Sequence, residues 1–300
     1  MKNMSIFALL TIIVLSGIPF AIILIQAYLK KKSENNLGEE SFILIGLVGA
    51  LANFFDTLGL SSFAIETTFF KNFKLVPDEK LPGTLNVGAT MPSICQALLF
   101  ISAVKIDTLT LFSLIISAVI GALFGASLIS KLDRKKIQLS MGIALFAMAV
   151  ILIAGKLNLF PQGGDAIGLR GGKLIIGILG NFLFGALNTL GIGLFAPCMT
   201  MIYMLGMTPL AAFPIMMGSC ALLLPFAGIK FIKEDTHSIK GSLGVNIMGP
   251  IGVAIAFFLV KGMDVNMLKN LLIIVVLYTT FMMFKSYFET KKKESLNNAA

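Results

Sequence analysis

Apolar residues run in long blocks along this chain, separated by short polar or basic stretches. The blocks lie near Ser5–Leu29, Ser41–Phe70, Gly83–Val104, Thr108–Ser130, Ile137–Ala154, Leu174–Leu205, Ala212–Ile229, Gly241–Val260 and Met267–Phe284. A helix needs ~20 mainly apolar residues to cross a bilayer, and several blocks reach that length. A membrane β-barrel would instead show short strands of alternating polarity, and no such alternation occurs. The pattern predicts an all-α polytopic membrane protein. Two blocks, Ser41–Phe70 and Leu174–Leu205, are too long for one crossing. Each is interrupted by a polar, glycine-bearing turn, Asp56-Thr57-Leu58-Gly59-Leu60-Ser61-Ser62 in the first and Asn188-Thr189-Leu190-Gly191-Ile192-Gly193 in the second. Glycine with small hydroxyl residues can break a helix at membrane depth where the freed backbone faces protein or a cavity.

These two blocks also match one another. At a shift of 132 residues, Leu51, Thr57, Leu58, Gly59, Phe63, Ala64, Thr68, Pro77 and Pro82 coincide with Leu183, Thr189, Leu190, Gly191, Phe195, Ala196, Thr200, Pro209 and Pro214. Asp56 falls opposite Asn188. Apolar composition inflates such matches, but a coinciding glycine and two coinciding prolines point to an internal duplication. The organisation expected is an extra N-terminal membrane helix and cytoplasmic loop over 1–40, a first repeat over 41–172, a second over 173–286 and a cytoplasmic tail over 287–300. Each repeat holds a broken-helix hairpin plus three spans.

Composition agrees: 57% of the residues are hydrophobic and 13% charged, against about 25% charged in an ordinary globular domain. The net charge of +9 would suit a nucleic-acid partner, but its placement does not. Basic residues cluster between apolar blocks, at Lys30–Lys32, Lys131–Lys136 and Lys291–Lys293, as juxtamembrane charge does opposite an anionic leaflet. The lipid bilayer is therefore the expected partner, and nucleic acid is not. If each broken block returns to the side it entered, most of the 24 basic residues face the cytoplasm, as the positive-inside rule asks. That places the N-terminus outside and the C-terminus in the cytoplasm of a multi-pass protein of the cell membrane. The first half then starts from the cytoplasm and the second from outside. Inverted-topology repeats with broken helices are a hallmark of alternating-access secondary transporters. No GxxxxGK[ST] motif supplies ATP binding, so transport would run on gradients or exchange.

The residues also resemble the TauE/SafE family of membrane transporters, which includes sulfite and sulfonate-related exporters. The resemblance rests on Gly59, on Gly191-Ile192-Gly193 with Pro197, and on the segments Pro82-Gly83-Thr84-Leu85-Asn86 and Met217-Gly218-Ser219. It covers Ser41 to Phe284. Leu60-Ser61-Ser62 and Ile192-Gly193-Leu194 stand where family members often carry a glycine triplet. The resemblance implies a transporter whose cargo is a sulfur oxyanion or sulfonate.

The broken helices suggest how such a cargo would be held. A helix that restarts within the membrane presents unpaired N–H groups and a partial positive charge. Two restarts converging from opposite faces would cradle a small anion. Thr57, Gly59, Ser61, Ser62, Asn188, Thr189, Gly191 and Gly193 are the expected contacts, with Asn86 and Ser219 lining the path. The same residues could instead cap the broken helices, and Asn86 and Ser219 could join helices by hydrogen bonds. Asp56 and Glu66 are the carboxylates within the apolar spans, and neither has a basic partner at helical spacing. A charge there costs roughly 3 kcal/mol or more, so an acid so placed suits the uptake and release of a proton. Glu66 is expected to be protonated when anion binds, coupling the two movements. The plainer reading has Asp56 capping a turn and Glu66 reaching the cytoplasmic interface.

Other residues carry less. Cys198 falls opposite Glu66, and with Cys95 and Cys220 it lies in apolar sequence, without the spacing of a metal site or disulfide framework. No metal and no cofactor is expected. His237, in the polar stretch Lys233-Glu234-Asp235-Thr236-His237, reads as a solvated loop residue. An intramembrane enzyme would need a nucleophile and base at depth, and neither GxGD nor HExxH occurs. A channel, or a transporter holding a cation at Asp56 and Glu66, remains an alternative, and so does a homo-oligomer.

Overall fold

The computed structural model describes residues 2–125, 134–157, 164–188 and 194–297. Among them the chain is helical throughout, with one isolated bridge between Ala166 and Met207. In chain order the helices are α1 (Lys2–Ser33), α2 (Phe42–Thr57), α3 (Ser62–Asn72), α4 (Leu81–Gly88), α5 (Thr90–Ala103), α6 (Thr108–Ile120), α7 (Arg134–Lys156), α8 (Gly171–Asn188), α9 (Phe195–Met204), α10 (Ala212–Lys233), α11 (Ile239–Lys261) and α12 (Val265–Asn297). Among the described residues six stretches are long and apolar enough to cross a membrane: Met4–Ser33, Leu81–Ala103, Gly171–Asn188, Pro209–Lys233, Ile239–Lys261 and Asn270–Lys292. That is the pattern of a multi-pass membrane protein.

The long block at Ser41–Phe70 is broken where its glycine turn predicts, between Thr57 and Ser62. Helices α3 and α9 end 132 residues apart, at Asn72 and Met204. Two segments differ from expectation. Gly83–Val104 is not one continuous helix but α4 and α5, parted at Ala89. Pro92 explains the break, because it has no N–H to offer and its ring crowds the carbonyl one turn back. Asn246 of α11 satisfies the backbone around it, donating from Nδ2 to Val87 O (2.8 Å) and accepting from Met91 N (3.0 Å). The expected tail beyond 286 is helical as far as Asn297, and Thr290 donates to Gln138 of α7 at 3.2 Å.

The chain divides into two compact units. The first comprises Met1–Ile115 and Phe213–Gly262. Within it α2 lies along α11 at backbone contact, because glycines line the seam. A Cβ built on Gly252 would stand 1.9 Å from Ala50 O, and one on Gly244 would stand 2.6 Å from Phe42 O. Small residues of this kind let membrane helices approach closely. The second unit comprises Ile116–Ala212 and Met263–Ala300. There α8 packs on the end of α6. A Cβ on Gly121 would meet Phe182 O at 1.9 Å and one on Gly185 would meet Ala118 O at 2.0 Å. Ser117 donates to Ile178 O across the same contact.

His237 is not solvated as the sequence suggested. It is 1% exposed, because its loop folds down onto α4. Ser238 N donates to Thr84 Oγ1 at 2.9 Å, His237 Nδ1 meets Ser242 Oγ at 2.9 Å, and Asp235 pairs with Lys31 of α1. Burial, aided by the charges of Lys31 and Lys80, pulls its pKa from an ordinary 6.5 down to about 4, against the opposing effects of Asp235 and the Ser238 backbone. Between those values the unfolded chain binds a proton that the folded chain refuses. Stability is therefore full above pH 6.5 and falls as the pH drops toward 4, by about 3 kcal/mol at most. Thermal unfolding in detergent is expected to show that decline in the wild type and a flatter one in His237→Gln. Equal slopes in the two proteins would contradict it.

Candidate functional site

The break between α2 and α3 assembles a buried polar cluster in the first unit. Helix α2 ends at Thr57, and the chain reverses through Gly59, whose φ of +99° is a conformation glycine adopts without steric cost. Gly59 N donates to Asp56 O at 2.8 Å and Leu60 N to Phe55 O at 3.0 Å, closing the helix end. The reversal brings the start of α3 back over Asp56, whose Oδ1 accepts from Ser62 N at 2.8 Å. Ser61, at the position before the helix, makes no side-chain cap. Asp56 therefore caps α3, and its carboxylate occupies the amide position where an anionic cargo was expected.

Four further side chains complete the cluster. Gln96, from α5, donates through Nε2 to Asp56 Oδ2 and Thr57 Oγ1, both at 3.0 Å. Thr57 in turn donates to Asn53 O at 2.8 Å. Asn53 donates through Nδ2 to Gly49 O at 2.8 Å and to Glu66 Oε1 at 3.4 Å. Glu66 and Gln96 are each 0% exposed, so Glu66 does not reach an interface. No basic side chain pairs with Asp56 or Glu66 among the described residues.

The side-chain donors of this cluster are all engaged, whereas two of its acceptors are not. Glu66 Oε2 and Gln96 Oε1 are buried without a hydrogen-bond partner. Leaving such groups unsatisfied is costly, and what satisfies them must donate a hydrogen bond or bring a proton or a positive charge. The arrangement can take up and release a proton or a small cation. It does not offer donors to an anion.

Asp56, Thr57, Gly59, Ser62 and Glu66 thus come together as a site, and Asn53 and Gln96 join them unforeseen. Asn53 stands three residues before Asp56 on the same face of α2, and Gln96 is a lone carboxamide in an apolar span. Both signals were visible in the sequence. Asn86 and Ser219 are not hydrogen-bonded to this cluster. Each turns back on its own helix, Asn86 to Pro82 O at 2.9 Å and Ser219 to Ile215 O at 2.7 Å. Asn188 closes α8 and is half-buried, while Thr189, Gly191 and Gly193 lie outside the described residues. At the repeat spacing, Asn53, Asp56, Glu66 and Gln96 fall opposite Gly185, Asn188, Cys198 and Gly228. No carboxylate stands at those four positions. No family model, curated protein or solved structure matches this chain.

Proposed function

We propose that this chain is a secondary transporter of the cell membrane that moves a small anion by alternating access, driven by a proton gradient through Glu66. The observation that carries the reading is Glu66 itself, a fully buried carboxylate with no basic partner and one unsatisfied oxygen, beside a broken helix. An inverted-topology repeat with its N-terminus outside and its C-terminus in the cytoplasm is part of the proposal. The equal spacing of the helices and the distribution of lysine support that arrangement. A sulfur oxyanion or sulfonate is the proposed cargo, through the resemblance to the TauE/SafE family. Asn188, Thr189, Gly191 and Gly193 are the contacts proposed for it, because the first break already holds a carboxylate. The acceptor-rich cluster favours one second reading, a carrier of another small solute coupled to a cation at Asp56 and Glu66.

Uptake of radiolabelled sulfite, thiosulfate and a small sulfonate into liposomes holding the purified chain tests both. Saturable uptake of one anion, accelerated by a pH gradient, is expected. Flux that needs a sodium gradient and ignores all three anions would establish the second reading in its place.

A further inference from the structure

A cavity of about 840 Å³ opens between the start of α2 and the end of α3. Lys71, Lys74 and Lys80 line it, and so do Glu39 and Glu40. Among the described residues none of these five is in an ion pair, and Glu40 Oε2 is tucked against Gly38 without a hydrogen-bond partner. Charges of both signs therefore face one space without neutralising each other. Lys74 is also held at a φ of +51°, at the helix-end position that glycine usually fills. A lysine there costs roughly 1 kcal/mol or more in backbone strain, and it sets the side chain at the cavity wall.

What adjoins the cavity narrows its occupant. Ile43, Leu44, Leu47 and Leu51 are all exposed on α2, at spacings that put them on one side of the helix. They form an apolar stripe about 12 Å long that begins at the cavity, with exposed Phe73 beside Lys74. A charged cup at the end of an apolar stripe has the form of a site for an amphiphile, with its head in the cup and its chains along the stripe. Basic pockets beside membrane helices bind lipid phosphate. Glu39 and Glu40 ask in addition for a donor of positive charge.

We propose that this cavity binds a phospholipid bearing a primary ammonium, of the phosphatidylethanolamine type. The lysines hold the phosphodiester, and Glu40, with Glu39, accepts hydrogen bonds from the ammonium. Choline brings positive charge without an N–H and glycerol brings O–H donors without positive charge, so only the primary ammonium offers the glutamates both. The inference is independent of what the chain transports.

The test uses the full chain in detergent, stripped of lipid and then supplied with phosphatidylethanolamine, phosphatidylcholine or phosphatidylglycerol at equal mole fraction. Retained lipid is measured by native mass spectrometry and stability by thermal unfolding. Phosphatidylethanolamine is expected to be retained several-fold over the other two and to raise the melting temperature most. Glu40→Gln should abolish its preference over phosphatidylcholine. Lys74→Gly, which relieves the strained backbone and so spares the fold, should lower retention of every phospholipid, and Lys80→Ala should do the same. Equal retention of ethanolamine and choline lipids by the wild type would overturn the proposal. So would an unchanged preference in Glu40→Gln, or phosphatidylglycerol retained above phosphatidylethanolamine. Soluble glycerophosphoethanolamine giving the same thermal shift would overturn the assignment to a lipid.

Discussion

Replacing Glu66 by glutamine is expected to leave anion exchange running while removing its response to a pH gradient. Glutamine keeps the shape of the side chain and an oxygen to accept from Asn53, whose Nδ2 bonds Glu66 Oε1 at 3.4 Å. What it cannot do is lose and regain a proton. With one proton moved per cycle, a gradient of one pH unit supplies about 1.4 kcal/mol, or roughly tenfold accumulation of cargo. The variant should accumulate nothing above equilibrium yet still trade labelled for unlabelled anion across the membrane. Accumulation in Glu66→Gln equal to that of the wild type would place the coupling group elsewhere. Loss of both activities in a variant that unfolds like the wild type would make Glu66 part of the cargo site.

The largest effect on stability is expected from Gly252→Ala. The added Cβ would stand 1.9 Å from Ala50 O and 2.8 Å from Ala50 C, so backbone, not a movable side chain, blocks it. Helices α2 and α11 must part, at the upper end of overpacking costs, about 3 kcal/mol. That is roughly a 5 °C loss in melting temperature for a chain of this length. Because α2 also carries Asn53 and Asp56, the polar cluster should be lost with the packing. Gly262→Ala is the matched control, since its Cβ would meet nothing closer than 3.6 Å and should leave the melting temperature unchanged. A Gly252→Ala protein that melts with the wild type would show that the two helices are not seated on each other.

Much of this architecture was legible because it is local. Length and polarity mark the helices, and Gly59 marks the break, since chain reversal there needs a positive φ. What was not legible depends on partners distant in sequence. Asn246, which satisfies the break at Ala89, lies 155 residues from Met91, and Gln96 lies 40 residues from Asp56. No periodicity announces such pairs, although a lone carboxamide in an apolar span asks for one. Asp56 shows a different limit. The sequence placed an open helix end beside a carboxylate without saying which would meet which. The turn at Gly59 brings the two together, and the cap that results leaves no vacancy for an anion. His237 was misplaced for a similar reason. Charged neighbours suggested solvent, but Lys31 and Thr84, far away in the chain, hold its loop down.

If the chain carries its cargo by alternating exposure of one site, as proposed, counterflow distinguishes it from a pore. Liposomes holding the purified protein are loaded with unlabelled anion and diluted into a trace of the labelled form, with no pH gradient. A carrier must return loaded, so label should rise transiently above its equilibrium level inside the liposomes and then decay. Label that climbs only to equilibrium, at a rate indifferent to the anion inside, is the behaviour of an open pore and would contradict the account.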